Sequence, residues 1–205
     1  MPDELRSRRG AAIEYVFLDR DGVINRKLPE GQYVTRWEDF EMLPGVAAAI
    51  ATLNRSGRKV IVATNQRGIA LGLMTEADLS LIHERLRGEL GRQGAILDAI
   101  YYCPHGREEC NCRKPQTGMI ESAFQDFPGA TPENSVFIGD SLADMECGNR
   151  AGMATIFVEN EEVISEEDQG EERRSSERTA KQMAGAMARS LSDAVHILQQ
   201  GALGQ

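Results

Sequence analysis

Aromatic side chains are scarce in this sequence. They make up 5% of the 205 residues, so a core must be built mostly from Val, Ile, Leu, Ala and Met. Long apolar runs are also lacking, and no segment approaches the roughly 18 continuous apolar residues of a membrane-spanning helix. The run Tyr15–Leu18 is too short for the apolar part of a secretion signal. We therefore expect a cytoplasmic protein with no membrane association.

Positive charge is outnumbered by negative charge. The chain has 23 Lys and Arg against 32 Asp and Glu, for a net charge of −9. This balance disfavours a broad basic surface for nucleic acid or anionic membrane, but it allows a small basic pocket. Residues 159–178 contain nine acids and three bases, so they carry −6 of the −9. We interpret 159–189 as an acidic, mobile insertion that begins with a solvated loop over 159–178.

The rest of the chain alternates between short apolar runs and amphipathic segments. The runs suited to buried strands are Tyr15–Leu18, 60–63, 99–102, 136–138 and 155–158. Helical patterns cover 44–55, 75–92, Gly118–Asp126, 142–151 and 190–200. This alternation predicts an α/β fold with helices on both faces of a central parallel sheet. We expect a flexible tail over 1–12 and a single domain over 13–205.

Acidic residues follow two of the predicted strands. Asp19 and Asp21 come after the first strand, and Asp140 follows the fourth, with Asp144 one helical turn later. Ligands of open α/β sheets collect at the carboxyl ends of the strands, so we expect these acids to converge. Converging carboxylates repel one another, and a divalent cation removes that cost. Turn formation or helix capping explains single positions here but explains the set poorly.

The same positions resemble the motifs of the haloacid dehalogenase-like (HAD) phosphatases. The four motifs occur in order as Asp19-x-Asp21-Gly22, Thr64, Lys114 and Gly139-Asp140-x3-Asp144. The resemblance covers about residues 15–158. It implies a three-layer, Rossmann-like fold with a minimal cap.

The resemblance also implies a Mg²⁺-dependent phosphomonoesterase. Asp19 would attack phosphorus and form an aspartyl-phosphate. Asp21 would protonate the leaving alkoxide and later take a proton from water. Thr64 would bind a phosphoryl oxygen, and Lys114 would offset its negative charge. Mg²⁺ would be held by Asp19, Asp140 and the backbone carbonyl of Asp21.

Three of the four cysteines lie close to a histidine. Cys103, His105, Cys110 and Cys112 form the pattern C-x-H-x4-C-x-C. Three thiolates and one imidazole match a closed, tetrahedral structural Zn²⁺ site, and the sequence has no C-x-x-C redox pair. We therefore predict a zinc-bound loop that positions the residues after it; the alternative is a loop of free thiols with a surface histidine. His83, outside this cluster, is expected on an exposed or partly packed helix face.

The cysteine loop resembles that of two groups within the HAD family, the D-glycero-D-manno-heptose 1,7-bisphosphate 7-phosphatases and the histidinol-phosphate phosphatases. We favour the first group, because the bifunctional histidine-pathway form carries a second domain for which this chain has no room. By resemblance, Asn65, Gln66 and Arg113 would contact the sugar phosphate. The chain departs from these relatives at Leu71, where they commonly have arginine.

Two functions of other kinds stay open. A non-catalytic, zinc-dependent binding module would use the cysteine loop but would leave the four phosphatase motifs unexplained. A nucleic-acid end-processing phosphatase would share the chemistry but needs a basic groove. We expect a small phosphorylated sugar as the substrate, no nucleic-acid partner, and a monomer.

Overall fold

Six parallel strands form one sheet in the computed structural model, which describes residues 12–159 and 171–201. Residues 1–11 of the expected tail lie outside the described residues. The strands are β1 (Tyr15–Leu18), β2 (Lys59–Asn65), β3 (Ala99–Cys103), β4 (Ser135–Gly139), β5 (Ala154–Val158) and β6 (Ala186–Ala188). Their order in the sheet is β3-β2-β1-β4-β5-β6, and each neighbouring pair is parallel. The parallel α/β architecture expected from the sequence is confirmed.

Helices cover both faces of this sheet. They are α1 (Val46–Arg55), α2 (Glu76–Arg92), α3 (Gly118–Asp126), α4 (Leu142–Arg150), α5 (Glu171–Met183) and α6 (Leu191–Gln200). None of the helices within the described ranges is long and apolar enough to cross a membrane.

Alternate side chains of the buried strands point to opposite faces of the sheet, and the helices they contact show which helix covers which face. Val16 and Leu18 of β1 pack in the same cluster as α1, α2 and α6. Phe17, between them, points to the other face and packs with α3 and α4. Ala180 of α5 packs against Phe157 of β5 on this second face. The result is the three-layer arrangement, because successive side chains of a strand point to opposite faces of the sheet.

The first helix begins two residues later than its apolar pattern predicts. Gly45 takes a left-handed conformation with φ of +76°, so α1 starts at Val46 rather than at Pro44. Its apolar side, which includes Ile50 and Leu53, is buried against the sheet.

The acidic segment contains more secondary structure than the sequence interpretation expects. Residues 160–170 lie outside the described residues, but α5 begins at Glu171 and β6 adds the edge strand of the sheet. The interpretation as a solvated loop is therefore wrong from position 171 onward. Glu, Arg, Lys and Gln are strong helix formers, and Ala180 anchors the helix by packing against Met145 and Phe157.

Candidate active site

Strand β1 is the point at which the strand order of the sheet changes direction: β2 and β3 lie on one side of it, and β4, β5 and β6 lie on the other. Loops that leave neighbouring strands on opposite sides open a crevice at such a point. Here the crevice is a cavity of about 400 Å³, and residues 28–34 form one of its walls. The side chains at its floor come from the ends of β1 and β2 and from the segment after β3. They include Asp19, Asp21, Thr64 and Lys114.

Asp19 lies at the centre of this floor and is 8% exposed. Its Oδ1 accepts a hydrogen bond of 2.7 Å from the backbone N–H of Arg20 and lies 2.8 Å from Nζ of Lys114. Burial, together with the nearby acidic charges of Asp144 and Asp140, raises the pKa of Asp19 to about 7, and the charge of Lys114 opposes this rise. Lys114 is therefore the main neighbour that favours the charged form of a carboxyl group whose burial favours the protonated form.

Lys114 is a buried cation between two acids. Its Nζ lies 2.6 Å from Oδ1 of Asp144 as well as close to Asp19, and it sits 5.4 Å from the centre of the Phe137 ring. Burial alone would lower the pKa of Lys114, but the charges of Asp144 and Asp19 raise it overall. The lysine therefore stays protonated inside the fold.

Asp144 is oriented by the start of α4. Its Oδ2 accepts hydrogen bonds from the backbone N–H and the hydroxyl of Ser141, at 3.1 and 2.5 Å. This reciprocal capping pair leaves Oδ1 to face Lys114. Gly139 permits the close approach, since a Cβ at that position would lie 2.3 Å from Cβ of Asp144.

Asp140 contacts a lysine that the sequence interpretation did not single out. Nζ of Lys27 lies 3.0 Å from Oδ1 and 2.7 Å from Oδ2 of Asp140. Burial raises the pKa of Asp140 and Lys27 opposes that rise. Gly22 approaches the same carboxylate with φ of +95°, and a Cβ there would lie 2.2 Å from Oδ2. A side chain at position 22 is therefore excluded on both conformational and steric grounds.

Asp21 lies outside the close cluster of Asp19, Asp140 and Asp144 and has its own hydrogen-bond partners. Its two carboxylate oxygens each accept a hydrogen bond of 3.0 Å from Nη2 of Arg20. Nδ2 of Asn25 donates to Oδ1 at 2.9 Å, and Nε2 of Gln66 donates to Oδ2 at 3.0 Å. Burial opposes ionisation, but the Arg20 charge and these hydrogen bonds outweigh it and lower the pKa of Asp21.

The end of β2 holds Lys114 in place through its backbone. Asn65 accepts a hydrogen bond of 3.0 Å from the Lys114 N–H at Oδ1, and its Nδ2 donates to the Lys114 carbonyl at 3.1 Å. Both polar groups of the Asn65 side chain are thus engaged by the chain itself, although Asn65 also lines the cavity. Gln66 donates to Oγ1 of Thr64 at 3.0 Å and so links Thr64 to Asp21.

The carboxylates meet the requirements of a divalent cation. One oxygen each from Asp19, Asp140 and Asp144 lie within 4.8 Å of one another. Carboxylate oxygens are the preferred ligands of Mg²⁺, and their mutual repulsion gives a cation a favourable place to bind. Lys114 and Lys27 supply part of that neutralisation within the structure. The donor set therefore fits the expected ion.

The cysteine loop forms a second candidate metal centre. Cys110 Sγ lies 3.5 Å from the Sγ of Cys103 and 3.2 Å from that of Cys112. Nδ1 of His105 lies 3.6 and 3.3 Å from the Sγ atoms of Cys103 and Cys112. A tetrahedral zinc site with Zn–S bonds of about 2.3 Å has edges of about 3.8 Å between its sulfurs. The four side chains, all free of disulfides, could therefore hold a metal ion.

The cavity wall above the carboxylates is basic. Arg107 and Arg113 from the cysteine loop line it together with Lys27. The Arg113 guanidinium lies 3.5 Å from the carbonyl of His105, which ties it to the loop. Leu71, where relatives commonly have arginine, is 46% exposed and is not among the cavity-lining residues described.

Besides Arg107, sequence reasoning missed four contributors to this site. Lys27 contacts Asp140, and Arg20 and Asn25 hold Asp21. His83 was expected on an exposed or partly packed helix face, but it is buried beside Arg20. His83 is 8% exposed. The position of Arg20 between Asp19 and Asp21 was the one available signal for these contacts.

Known proteins are similar to this chain in both sequence and fold. The HAD-hydrolase-like family model matches residues 111–193. The D-glycero-alpha-D-manno-heptose-1,7-bisphosphate 7-phosphatase of Mycobacterium tuberculosis (strain ATCC 25618 / H37Rv) is 41% identical over 140 residues, covering 68% of this chain and 73% of that protein. The D-glycero-beta-D-manno-heptose-1,7-bisphosphate 7-phosphatase of Pseudomonas putida is 40% identical over 147 residues, covering 71% and 82%.

The fold is similar to that of a solved structure from the same group of enzymes. The crystal structure of D,D-heptose 1,7-bisphosphate phosphatase from B. bronchiseptica, complexed with magnesium and phosphate, aligns with a TM-score of 0.76. It is 30% identical to this chain, and the alignment covers 92% of this chain and 99% of that one.

Proposed function

Because the chain belongs to the HAD-like phosphatases, we propose that it removes the 7-phosphate of D-glycero-D-manno-heptose 1,7-bisphosphate through an aspartyl-phosphate. The observation that carries this proposal is that Asp19 and Lys114 meet at the floor of a cavity with basic walls, with the Asp140 carboxylate close to that of Asp19. Relatives named for the alpha and beta anomers are 41% and 40% identical to the chain. The proposal therefore assigns no anomer.

Asp19 would be the nucleophile. Arg20 and Lys114 both contact its Oδ1, so Oδ2 would form the bond to phosphorus while Oδ1 stays fixed. Phosphate monoesters hydrolyse very slowly unaided, so the covalent route divides one difficult step into two. Lys114 would hold Asp19 in its ionised form and offset the charge on the phosphoryl group. Thr64 would donate its hydroxyl to a phosphoryl oxygen.

Asp21 would exchange protons with the leaving group and with water. In the arrangement described above, its carboxylate is ionised and held by Arg20, Asn25 and Gln66. This state suits the second half of the reaction, where Asp21 takes a proton from the attacking water. In the first half it would carry a proton on the oxygen that faces the leaving group, while the Arg20 guanidinium keeps its contact with the other oxygen.

Two metal ions would complete the site. Mg²⁺ held by Asp19, Asp140 and the backbone carbonyl of Asp21 would neutralise charge on the phosphoryl oxygens when bound. Asp144 would support this arrangement through Lys114. Zn²⁺ held by Cys103, His105, Cys110 and Cys112 would fix the shape of the cysteine loop.

The loop would also determine how the substrate lies. Arg113 would bind the second phosphate, for which a guanidinium offers a bidentate contact, and Arg107 is placed to assist it. Gln66 would contact the sugar near Thr64. We propose that Asn65 acts on the substrate chiefly by positioning Lys114, since its side-chain amide holds the Lys114 backbone.

Phosphate release from a panel of substrates tests this function. The panel contains heptose 1,7-bisphosphate, histidinol phosphate and a 3′-phosphorylated oligonucleotide, each with Mg²⁺. We expect release mainly from heptose bisphosphate, and none with Asp19→Asn. A strong preference for histidinol phosphate would replace the proposed substrate. Lack of Mg²⁺-dependent release from all three would favour the zinc-dependent binding module.

A further inference from the structure

Arg20 is the largest fully buried side chain of the described residues, with 1% exposure. Its Nη2 bridges both oxygens of Asp21 at 3.0 Å, and its Nη1 lies 3.4 Å from Nε2 of His83. The ring of Phe40 lies 5.9 Å from the guanidinium carbon. A buried guanidinium is costly unless its donors find partners. Asp21 provides partners on one side, and His83 provides one on the other.

His83 is suited to accept a hydrogen bond from Arg20. It lies on α2, which supplies no side chain to the cavity lining described above, so His83 reaches the site only through Arg20. Burial and the charge of Arg20 lower the pKa of His83 to about 3, so the imidazole is neutral near neutral pH. A neutral imidazole has one acceptor nitrogen. Because Nε2 faces the Arg20 donor, the ring proton must lie on Nδ1.

We propose that Arg20 and His83 are positioning residues for Asp21, with His83 orienting the guanidinium and the guanidinium orienting the carboxylate. This inference rests on the proposed function, in which Asp21 exchanges protons with the leaving group. Nη2 contacts both oxygens, so it fixes the rotation of the carboxylate plane. Removing the His83 acceptor leaves one end of the guanidinium without a partner and lets it reorient.

Because Asp21 protonates the leaving group, its placement can be tested with two substrates whose leaving groups differ in their need for a proton. A sugar alkoxide is a strong base and leaves only when protonated, whereas p-nitrophenolate is a weak base and leaves without protonation. The value of kcat/KM covers the steps up to the first irreversible one, which includes departure of the leaving group. Misplacement of Asp21 should therefore lower kcat/KM for the sugar phosphate more than for p-nitrophenyl phosphate.

The test compares four variants on both substrates. His83→Leu should lower kcat/KM for heptose bisphosphate about tenfold and Arg20→Met about 100-fold, with changes below about threefold for p-nitrophenyl phosphate. His83→Gln keeps an acceptor for Arg20 and should stay within about threefold of the wild type on both. Ile82→Val, a buried apolar change at the neighbouring position of α2, is the matched control and should leave the ratio of the two values unchanged.

Two results would overturn the inference. The first is an equal loss on both substrates for His83→Leu and Arg20→Met, which would indicate a purely structural role. The second comes from the ¹⁵N spectrum of the wild-type imidazole: a proton on Nε2 of His83 would exclude it as an acceptor, whether or not the enzyme is active. Failure of the proposed function has a different signature, because the wild type would then fail to hydrolyse heptose bisphosphate, whatever its activity on p-nitrophenyl phosphate.

Discussion

The proposed nucleophile should lower the stability of the protein that carries it. Burial, Asp144 and Asp140 together raise the pKa of Asp19 from its ordinary value of 3.8 to about 7, against the attraction of Lys114. The folded protein therefore binds a proton more tightly at this site than the unfolded chain does. The contribution of Asp19 to stability is present at low pH and is lost as pH rises through about 7.

Asp19→Asn should remove this penalty, because the amide resembles the protonated acid in shape and carries no charge. A pKa rise from 3.8 to about 7 corresponds to about 4 kcal/mol at pH 8. Local relaxation and water penetration reduce such burial penalties, so we expect a gain of about 2–4 kcal/mol. Near pH 4 the two proteins should differ little, since the wild-type carboxyl is then protonated in the folded state.

Urea unfolding of both proteins at pH 4.5 and pH 8 measures this difference. The buffer should be freed of Mg²⁺ by dialysis, because a strong chelator would also withdraw metal from the cysteine loop. Adding Mg²⁺ should then stabilise the wild type more than Asp19→Asn. Equal stability at pH 8 in Mg²⁺-free buffer, or a less stable variant, would refute the reasoning.

Three further changes test other parts of the site. Lys27→Met removes the cation that contacts Asp140 and should raise Mg²⁺ affinity in calorimetry about tenfold; weaker binding would contradict this. Gly22→Ala places a Cβ 2.2 Å from Asp140 at φ of +95° and should cost about 2 kcal/mol or more in urea unfolding, so an unchanged midpoint would count against the geometry. Cys112→Ser should lose bound zinc in elemental analysis, whereas the control Cys147→Ser, outside the cluster, should retain it; equal zinc in both would exclude the four-ligand site.

Local patterns predicted five of the six strands and the convergence of Asp19, Asp140 and Asp144 at one edge of the sheet. The four inner strands, β1, β2, β4 and β5, are short and mostly buried, so their apolar runs are visible in the sequence. The polar residues that follow β1 and β4 then meet because parallel strands share one edge. The spacing of Asp140 and Asp144 similarly reflects one turn of α4. These features depend on few residues close together in the chain.

Local sequence patterns could not predict contacts between residues that are far apart in the chain. His83 and Arg20 are 63 positions apart, and no local pattern relates them. The Lys27 side chain is long and flexible, so its contact with Asp140 depends on the path of the loop that follows β1. For α5 the signal was present but misread. Its charge indicated a solvated loop, although its composition favours a helix and one small residue, Ala180, sufficed to anchor it.

Two hydrogen bonds with the Asn65 side chain fix the position of the Lys114 backbone. The charge at this position is supplied by a different group, the Lys114 side chain. The Asn65 amide imitates one more residue of a neighbouring strand, so the sheet is in effect prolonged to the lysine. Replacement of the Lys114 side chain should leave its backbone in register, and replacement of Asn65 should shift the cation without changing its chemistry. Evolution or engineering can therefore adjust the location and the identity of this cation independently.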